Sequence, residues 1–564
     1  MFQHHPLDAN GKLLRRFYEP LTLLRVLDPT RGAQRPDLIL DRGLEEQSKL
    51  WRNFLDQLAF LCDSEKGGDT VAAVAAQKTA ENTIFWVASN SKSRSEAHEH
   101  LCWVLARLNE ICAANLSTVH LEREITWRCI NFSLSRIKTY TNWLMQAIRE
   151  AKRNMNPDAN TEDATVWNEL EHLENLKCDP HQLCSFAHSL RRHGMMDVLY
   201  RRHVVHSHRG VWSDMRHYIG RLGMWTKAIR ILILGTKTFP QRIENSHVEV
   251  IGPHGSADLP NKLHITDLHG VVSRVVPADQ FALLAELKQA LADANAVVQI
   301  WERFRDDYSN IRPRPHAELL VLEHFYSNEL EFVANDKYIG CSKPSCYCCH
   351  MYMQCHPGGF PPRPCHGNLW INWAPPIPLP LAARKTKRTT ARPQEHHTFK
   401  LLQKMLVCIR RDLQEQILSR KPKRSKLPDS TTGMSSVLFE TDSILGSTVR
   451  NFVQSNESHQ SDRSINPESA AMVNIDSDAI ADGISNSSPK SDSDDIEDRT
   501  FDMEKIIAEQ GQGGRDEKKK NPNGKDAQSE SDTDIENEDD EDNEDNVGVL
   551  LFKGRKRYFV QARH

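Results

Sequence analysis

The chain has 564 residues, more than a single hydrophobic core organises, so two or three domains are expected. Hydrophobic residues make up 39% and charged residues 26%, ordinary values for a soluble chain, and a net charge of −4 singles out no class of partner. No stretch approaches the roughly 18 uninterrupted apolar residues of a membrane span, and the start lacks the apolar segment of a secretory signal, so no membrane partner and an intracellular location, cytoplasmic or nuclear, are expected.

Taken in chain order, residues 50–155 read as long helices. "FLDQLAFLCDSEKGG" and "AHEHLCWVLARLNEICAANL" set apolar side chains three and four apart, giving one buried stripe. The pair Gly67-Gly68 breaks the pattern. It follows a helix and lacks the order of a phosphate-binding loop, so it reads as a helix C-cap and turn. Helical character continues to about residue 240, with His203, His206 and His208 in a polar turn. No thiolate or carboxylate joins these histidines at ligand spacing.

Beyond this mostly helical region, 1–240, the pattern changes. "HVEVIGP" and "KLHITDLHGVVSRV" alternate like short strands, "PADQFALLAELKQALADANAVVQIWERFRDDY" is periodic like a helix, and "ELEFVANDKYIG" reads as one strand. Residues 245–375 are therefore expected to form an α/β domain, a small mixed sheet flanked by helices. Residues 376–426 read as a proline-rich, basic linker with one helix, "HTFKLLQKMLVCIRRDLQEQIL". Its basic clusters near 384–392 and 420–426 suit nuclear import or nucleic-acid contact. Residues 427–545 are acidic and too poor in apolar side chains to offset their ordering entropy, so disorder is expected. Strand character returns at 546–564.

The chemistry concentrates in "PRPHAELLVLEHFY", residues 313–326, and "IGCSKPSCYCCHMYMQCH", residues 339–356. In a reducing compartment, the thirteen cysteines of the chain read as buried apolar residues or metal ligands rather than disulfides. A catalytic zinc takes three protein ligands of N and S type and keeps one position open, a count that His316, Cys346 and Cys349 meet. The two cysteines are spaced i, i+3, and Ser342 with Pro344 marks a helix start ahead of them. At a helix N-terminus the macrodipole favours the thiolate form. His316 and Glu318 point roughly 200° apart on a regular helix, so they converge only if His316 sits at the very start and Glu318 in the first turn. Zn²⁺ with two thiolates and a neutral imidazole is formally neutral and acidifies a bound water, and Glu318, not itself a ligand, is placed to carry its proton.

The order H-x-E followed by C-x-x-C is that of the zinc nucleobase deaminases. "HAE" at 316–318 and "CSKPSCYCC" at 341–349 resemble one branch of that cytidine-deaminase-like superfamily: deaminase-like proteins widespread in fungi and related to toxin-type deaminases of rickettsial bacteria. "LAFLCDSEKGGDTVAA" and the run around "FAHSLRRHG" resemble the helical N-terminal region of those fungal proteins. The resemblance covers 245–375 and, more loosely, the N-terminal region, but not the acidic tail. It implies Zn²⁺ as cofactor, His316, Cys346 and Cys349 as its ligands and Glu318 as proton shuttle. It also implies a nucleobase-containing substrate, a cytosine or adenine in a nucleotide or nucleic acid. One departure weakens transfer of the substrate: the commonest deaminase pattern has proline directly before the first cysteine, and here Ser345 separates Pro344 from Cys346.

Other readings use the same residues. Cys346, Cys349 and Cys365 with His350, His356 or His366 would close a four-ligand structural zinc, making the domain a binding or scaffold module. Alternatively, the cysteines are ordinary buried residues, as Cys341, Cys348 and Cys355 are expected to be. "CHGNLWINWAPP" alternates like a strand beside the cysteine helix, where Trp370 and Trp373 either stack on a base or pack a sheet face. Arg314 and Lys343, with Arg312 and Arg363, flank the motifs as candidate phosphate contacts or as solvated surface.

Overall fold

A computed structural model describes residues 9–30, 44–90, 94–113, 119–154, 161–191, 194–205, 210–252, 267–277, 279–379, 393–419, 549–553 and 556–560. The two basic clusters, the acidic run, and His206 and His208 lie outside the described residues. Everything described before residue 420 belongs to one compact unit.

Besides a single helical turn at Pro240–Ile243, its α-helices are α1 (Ala9–Leu27), α2 (Glu46–Leu61), α3 (Arg94–Ala113), α4 (Val119–Phe132), α5 (Leu134–Asn154), α6 (Thr161–Asn175), α7 (Pro180–Leu190), α8 (Met195–Val205), α9 (Val211–Leu222), α10 (Met224–Thr238), α11 (Leu268–Ser273), α12 (Phe281–Val298), α13 (Ile300–Asn310), α14 (Ala317–Ser327), α15 (Tyr347–Cys355) and α16 (Pro393–Ser419). The strands are β1 (Ala72–Lys78), β2 (Thr83–Ser89), β3 (His247–Val250), β4 (Arg314–Pro315), β5 (Gly340–Cys341) and β6 (Trp373–Ala374). The expected class holds: the protein is mostly helical, with a small mixed sheet. Four strands run in the order β3-β2-β1-β5, antiparallel except for the parallel pair β2 and β3. Residues 549–553 and 556–560 pair as an antiparallel hairpin, and no helix among the described residues is long and apolar enough to cross a membrane.

Small side chains decide how the sheet is covered. Along β1, Ala73 and Ala75 face the core shared with α14, and their size lets that helix lie close against β1 and β2. The opposite face is covered by α2, where Trp51 stacks on Phe54 and lies against Phe85 of β2. Gly340 permits the closest approach. A Cβ there would fall 2.4 Å from the Leu55 carbonyl, so only glycine lets β5 run against α2. Asp56, the next residue of α2, then accepts hydrogen bonds from the Cys341 amide at 2.9 Å and the Tyr338 hydroxyl at 2.6 Å, fixing the chain that leads to the cysteines. Behind α14, the buried face of α1 packs on α13 and α16, and the Tyr18 hydroxyl donates to the Trp373 carbonyl at 2.8 Å.

Local departures from the sequence expectation have physical causes. The hairpin β1–β2 lies inside the stretch read as helical: alanine is the best helix former, and a strand buried on both faces carries no polar alternation to betray it. In "KLHITDLHGVVSRV" the segment 268–273 is helix α11 rather than strand, started by the Asp267 carboxylate accepting from the Gly270 amide at 2.8 Å. The single strand expected over 329–340 is interrupted by a turn at Val333–Asn335 with left-handed Ala334 and Asn335, so pairing survives only at Phe332 and at β5. Of the strand expected from His366 to Trp373, only the end forms a strand, β6 beside β4, with an isolated bridge from Asn368 to Thr30.

Candidate active site

Proline sets the start of α14. Pro313 and Pro315 hold the chain extended, and β4 pairs in parallel with β6, Arg314 against Trp373 and Pro315 against Ala374. His316 is the N-cap residue, at φ −84° and ψ 150°, and Glu318 falls in the first turn. The first free amide of the helix, on Ala317, donates to Asn90 Oδ1 at 2.7 Å, while Asn90 Nδ2 donates to the Gly68 carbonyl at 2.6 Å. One side chain from the end of β2 thus ties the helix start to the glycine turn.

Helix α15 starts later than Ser342 and Pro344 indicate. The Ser345 amide donates to the Pro364 carbonyl at 2.7 Å, and Ser345 bridges Cys365, so the chain stays extended up to Cys346. Cys346 is the N-cap, its Sγ accepting from the Cys349 amide at 3.5 Å. His316 Nδ1 lies 3.6 Å from Cys346 Sγ and 3.3 Å from Cys349 Sγ, and the three atoms all lie within 4.8 Å of one another. Glu318, only 3% exposed, reaches the Cys349 thiol with its carboxylate.

The charges are strongly coupled. Burial works to raise the Cys346 thiol, but the hydrogen bond from Cys349 and the charge of His316 pull it down to about 6. Burial and the neighbouring Cys346 charge push the Cys349 thiol well up. For His316, burial favours the neutral ring, yet Cys346 and Glu318 outweigh it and the net shift is upward. Of the two thiols, Cys346 is thus the one that gives up its proton more readily, at a helix start whose macrodipole favours the thiolate.

The cluster opens on a cavity of about 220 Å³ whose walls include the Lys66–Gly68 turn, Asn90, Arg314, Lys343, His366 and Trp370. The helical block holds this turn from behind. Buried Arg136 of α5 pairs with Asp63 at 3.3 Å, Asp63 accepts from the Thr70 hydroxyl at 2.6 Å, and Lys66 stands 5.4 Å over the Trp143 ring.

The structure brings His316, Glu318, Cys346 and Cys349 together and sorts the remaining expectations. Trp370 lines the cavity, but Trp373 does not: it is fully buried, 5.7 Å from Phe17 and 6.0 Å from Tyr352 between ring centroids, because β6 turns it into the core under α1. Arg314 and Lys343 line the cavity, Arg314 paired with Asp69 and Lys343 donating to the Gly67 carbonyl. Arg363 is buried and bonds the Ile339 carbonyl and Asp56, so it holds the core rather than a phosphate. Cys341 also lines the cavity, its thiol pushed up by burial and Glu318. Among the described residues the thiol–imidazole group comprises His316, Cys346 and Cys349 and does not include Cys365, while His356 joins a different group.

Sequence reading missed Asn90 and the role of the Lys66–Gly68 turn, and it considered His366 only as a ligand of a structural zinc, whereas His366 lines the cavity. Only the glycine pair left a signal, and it read as a cap.

Residues 315–377 match the model of the family described as OTT_1508_deam-like deaminase. The segment is deaminase-like. The matched residues take in His316, Glu318, Cys346 and Cys349 and are consistent with the cytidine-deaminase-like superfamily. Neither the curated proteins nor the solved structures give a significant match.

Proposed function

We propose that this protein is a zinc-dependent hydrolytic deaminase acting on a cytosine or adenine base carried by a nucleotide or nucleic acid. The observation that carries the reading is the convergence of one imidazole nitrogen and two thiol sulfurs from two helix starts, with a buried carboxylate beside them and a cavity in front.

The donor set fits zinc: borderline-soft N and S atoms, three in number, leave a tetrahedral ion one open position. When bound by His316, Cys346 and Cys349, the ion would acidify a water molecule at that position. Glu318 does the proton work. Its carboxylate, buried and within reach of Cys349, takes a proton from the water and passes it toward the departing amino group, so that water and the amino-bearing ring exchange to ammonia and a ring carbonyl.

The cavity volume of about 220 Å³ is below the roughly 300–1,000 Å³ of drug-sized ligand sites, which suits one heterocycle with its sugar and phosphate outside. A base in a polymer must then be turned out of its stack to enter. Trp370 offers a stacking surface, and Arg314 and Lys343 place positive charge in the wall. The test is ammonia release by the zinc-loaded protein from a panel of nucleosides, nucleotides, single-stranded DNA and single-stranded RNA. Turnover of a cytosine or adenine substrate supports the reading; zinc bound with no turnover on the panel assigns the domain to binding instead.

A further inference from the structure

Five residues beyond Glu318, and so about 140° round the same helix, Glu323 faces a different set of partners. Its Oε1 lies 3.1 Å from His356 Nε2 and 3.8 Å from His397 Nε2, and the two imidazole nitrogens are 3.2 Å apart. Three elements supply these groups: α14, the end of α15 and the first turns of α16.

Two features of this cluster are hard to explain by hydrogen bonding alone. Glu323 is 5% exposed, and its Oε2 is buried with no hydrogen-bond partner, an expensive state for a carboxylate oxygen. Two imidazoles, buried His356 and half-buried His397, also meet nitrogen to nitrogen. The spacings of 3.1, 3.2 and 3.8 Å bracket the edge of a tetrahedron, about 3.3 Å for metal bonds of about 2.0–2.1 Å.

We propose that Glu323, His356 and His397 bind a second divalent ion, of the zinc type by their two imidazoles and one carboxylate. The ion ties α16 to the deaminase-like segment. Tyr352 already orients the carboxylate, its hydroxyl donating to Oε1 at 2.6 Å, in the supporting role that ligand carboxylates need. The open side of the site faces a cavity of about 560 Å³ lined by Tyr326, Phe332, Phe360 and His397, which leaves access for the ion and for a water ligand. One rearrangement accompanies binding. The Gly358 amide donates to His356 Nδ1 at 3.0 Å, so the neutral ring carries its proton on Nε2; ligation moves that proton to Nδ1 and exchanges one backbone hydrogen bond for a metal–nitrogen bond.

The test does not depend on the deaminase reading. Full-length protein carrying Cys346→Ser and Cys349→Ser is stripped of metal and titrated with Co²⁺. The expected result is d–d absorption without a thiolate charge-transfer band, saturating near one equivalent and lost on adding His397→Ala. As a second measurement on chains with intact cysteines, wild type and His397→Ala are compared for zinc content, with folding checked by circular dichroism. His397 is partly exposed, so its removal leaves the fold, and the variant should hold about one equivalent less. Equal metal content in the two folded proteins, or Co²⁺ absorption that persists without His397, overturns the second site.

Discussion

Residues 315–377 and residues 46–90 build the same cavity in opposite ways. The first segment carries His316, Glu318, Cys346 and Cys349, all of the candidate chemistry. The second carries none of those groups, yet Asp56 holds the approach to the cysteines, Asn90 caps the helix of His316 and Glu318, and the Lys66–Gly68 turn closes the wall. Donor atoms can be read from residue types at short spacing, whereas their alignment depends on backbone contacts made by residues distant in the chain. A match confined to 315–377 therefore covers the half that carries the candidate donors and says nothing of the half that aligns them.

Substitutions in each segment should fail in different ways. The largest effect belongs to Cys349→Ser, which removes one of the three proposed ligands; we expect loss of tightly bound zinc, measured by metal analysis after dialysis against a weak chelator. If the wild type takes up zinc there, uptake should displace protons, because the Cys349 thiol and the His316 ring are both shifted upward. Protons compete for the same atoms, so zinc affinity falls as pH is lowered, and a titration calorimetry series in buffers of different ionisation heat reports the protons released.

Gly340→Ala comes next. A methyl group 2.4 Å from the Leu55 carbonyl forces β5 away from α2, a loss of about 1–3 kcal/mol by denaturant unfolding, with metal held more weakly because Cys341 and the following loop shift together. The smallest effect is Asn90→Ala. It removes the cap on the Ala317 amide, about 1 kcal/mol of stability, and lets His316 and Glu318 lose register. Turnover should drop roughly tenfold to a hundredfold with zinc content unchanged. An Asn90→Ala protein with wild-type turnover would show that the second segment only encloses the site.

The same contrast explains what was legible in the sequence. The histidine at a helix start after two prolines, the glutamate two residues on and the i, i+3 cysteines follow from local geometry and metal chemistry, and the structure brings these side chains together. The helices of the N-terminal region were legible from their 3.6-residue period. The hairpin β1–β2 was not, because "AAVAAQK" is alanine-rich and buried on both faces, so it shows neither β-branched enrichment nor alternation. Trp370 and Trp373, three residues apart, fall on opposite faces of an extended run, but the sequence does not say which faces the core; the pairing of β6 with β4 sends Trp373 inward and leaves Trp370 at the cavity. Glu323, His356 and His397 span 75 residues and have no shared spacing that a sequence scan recognises.

The most direct measurement is made on Glu318→Gln, which keeps the shape of the side chain and removes its charge. Zinc content and ammonia release are measured together on the substrate that the wild type turns over. Zinc should stay at the wild-type level while the rate falls by about 10²–10⁴, the contribution of a positioned proton carrier. A Glu318→Gln protein that holds zinc and still releases ammonia at the wild-type rate would contradict the role given to this carboxylate and the mechanism built on it.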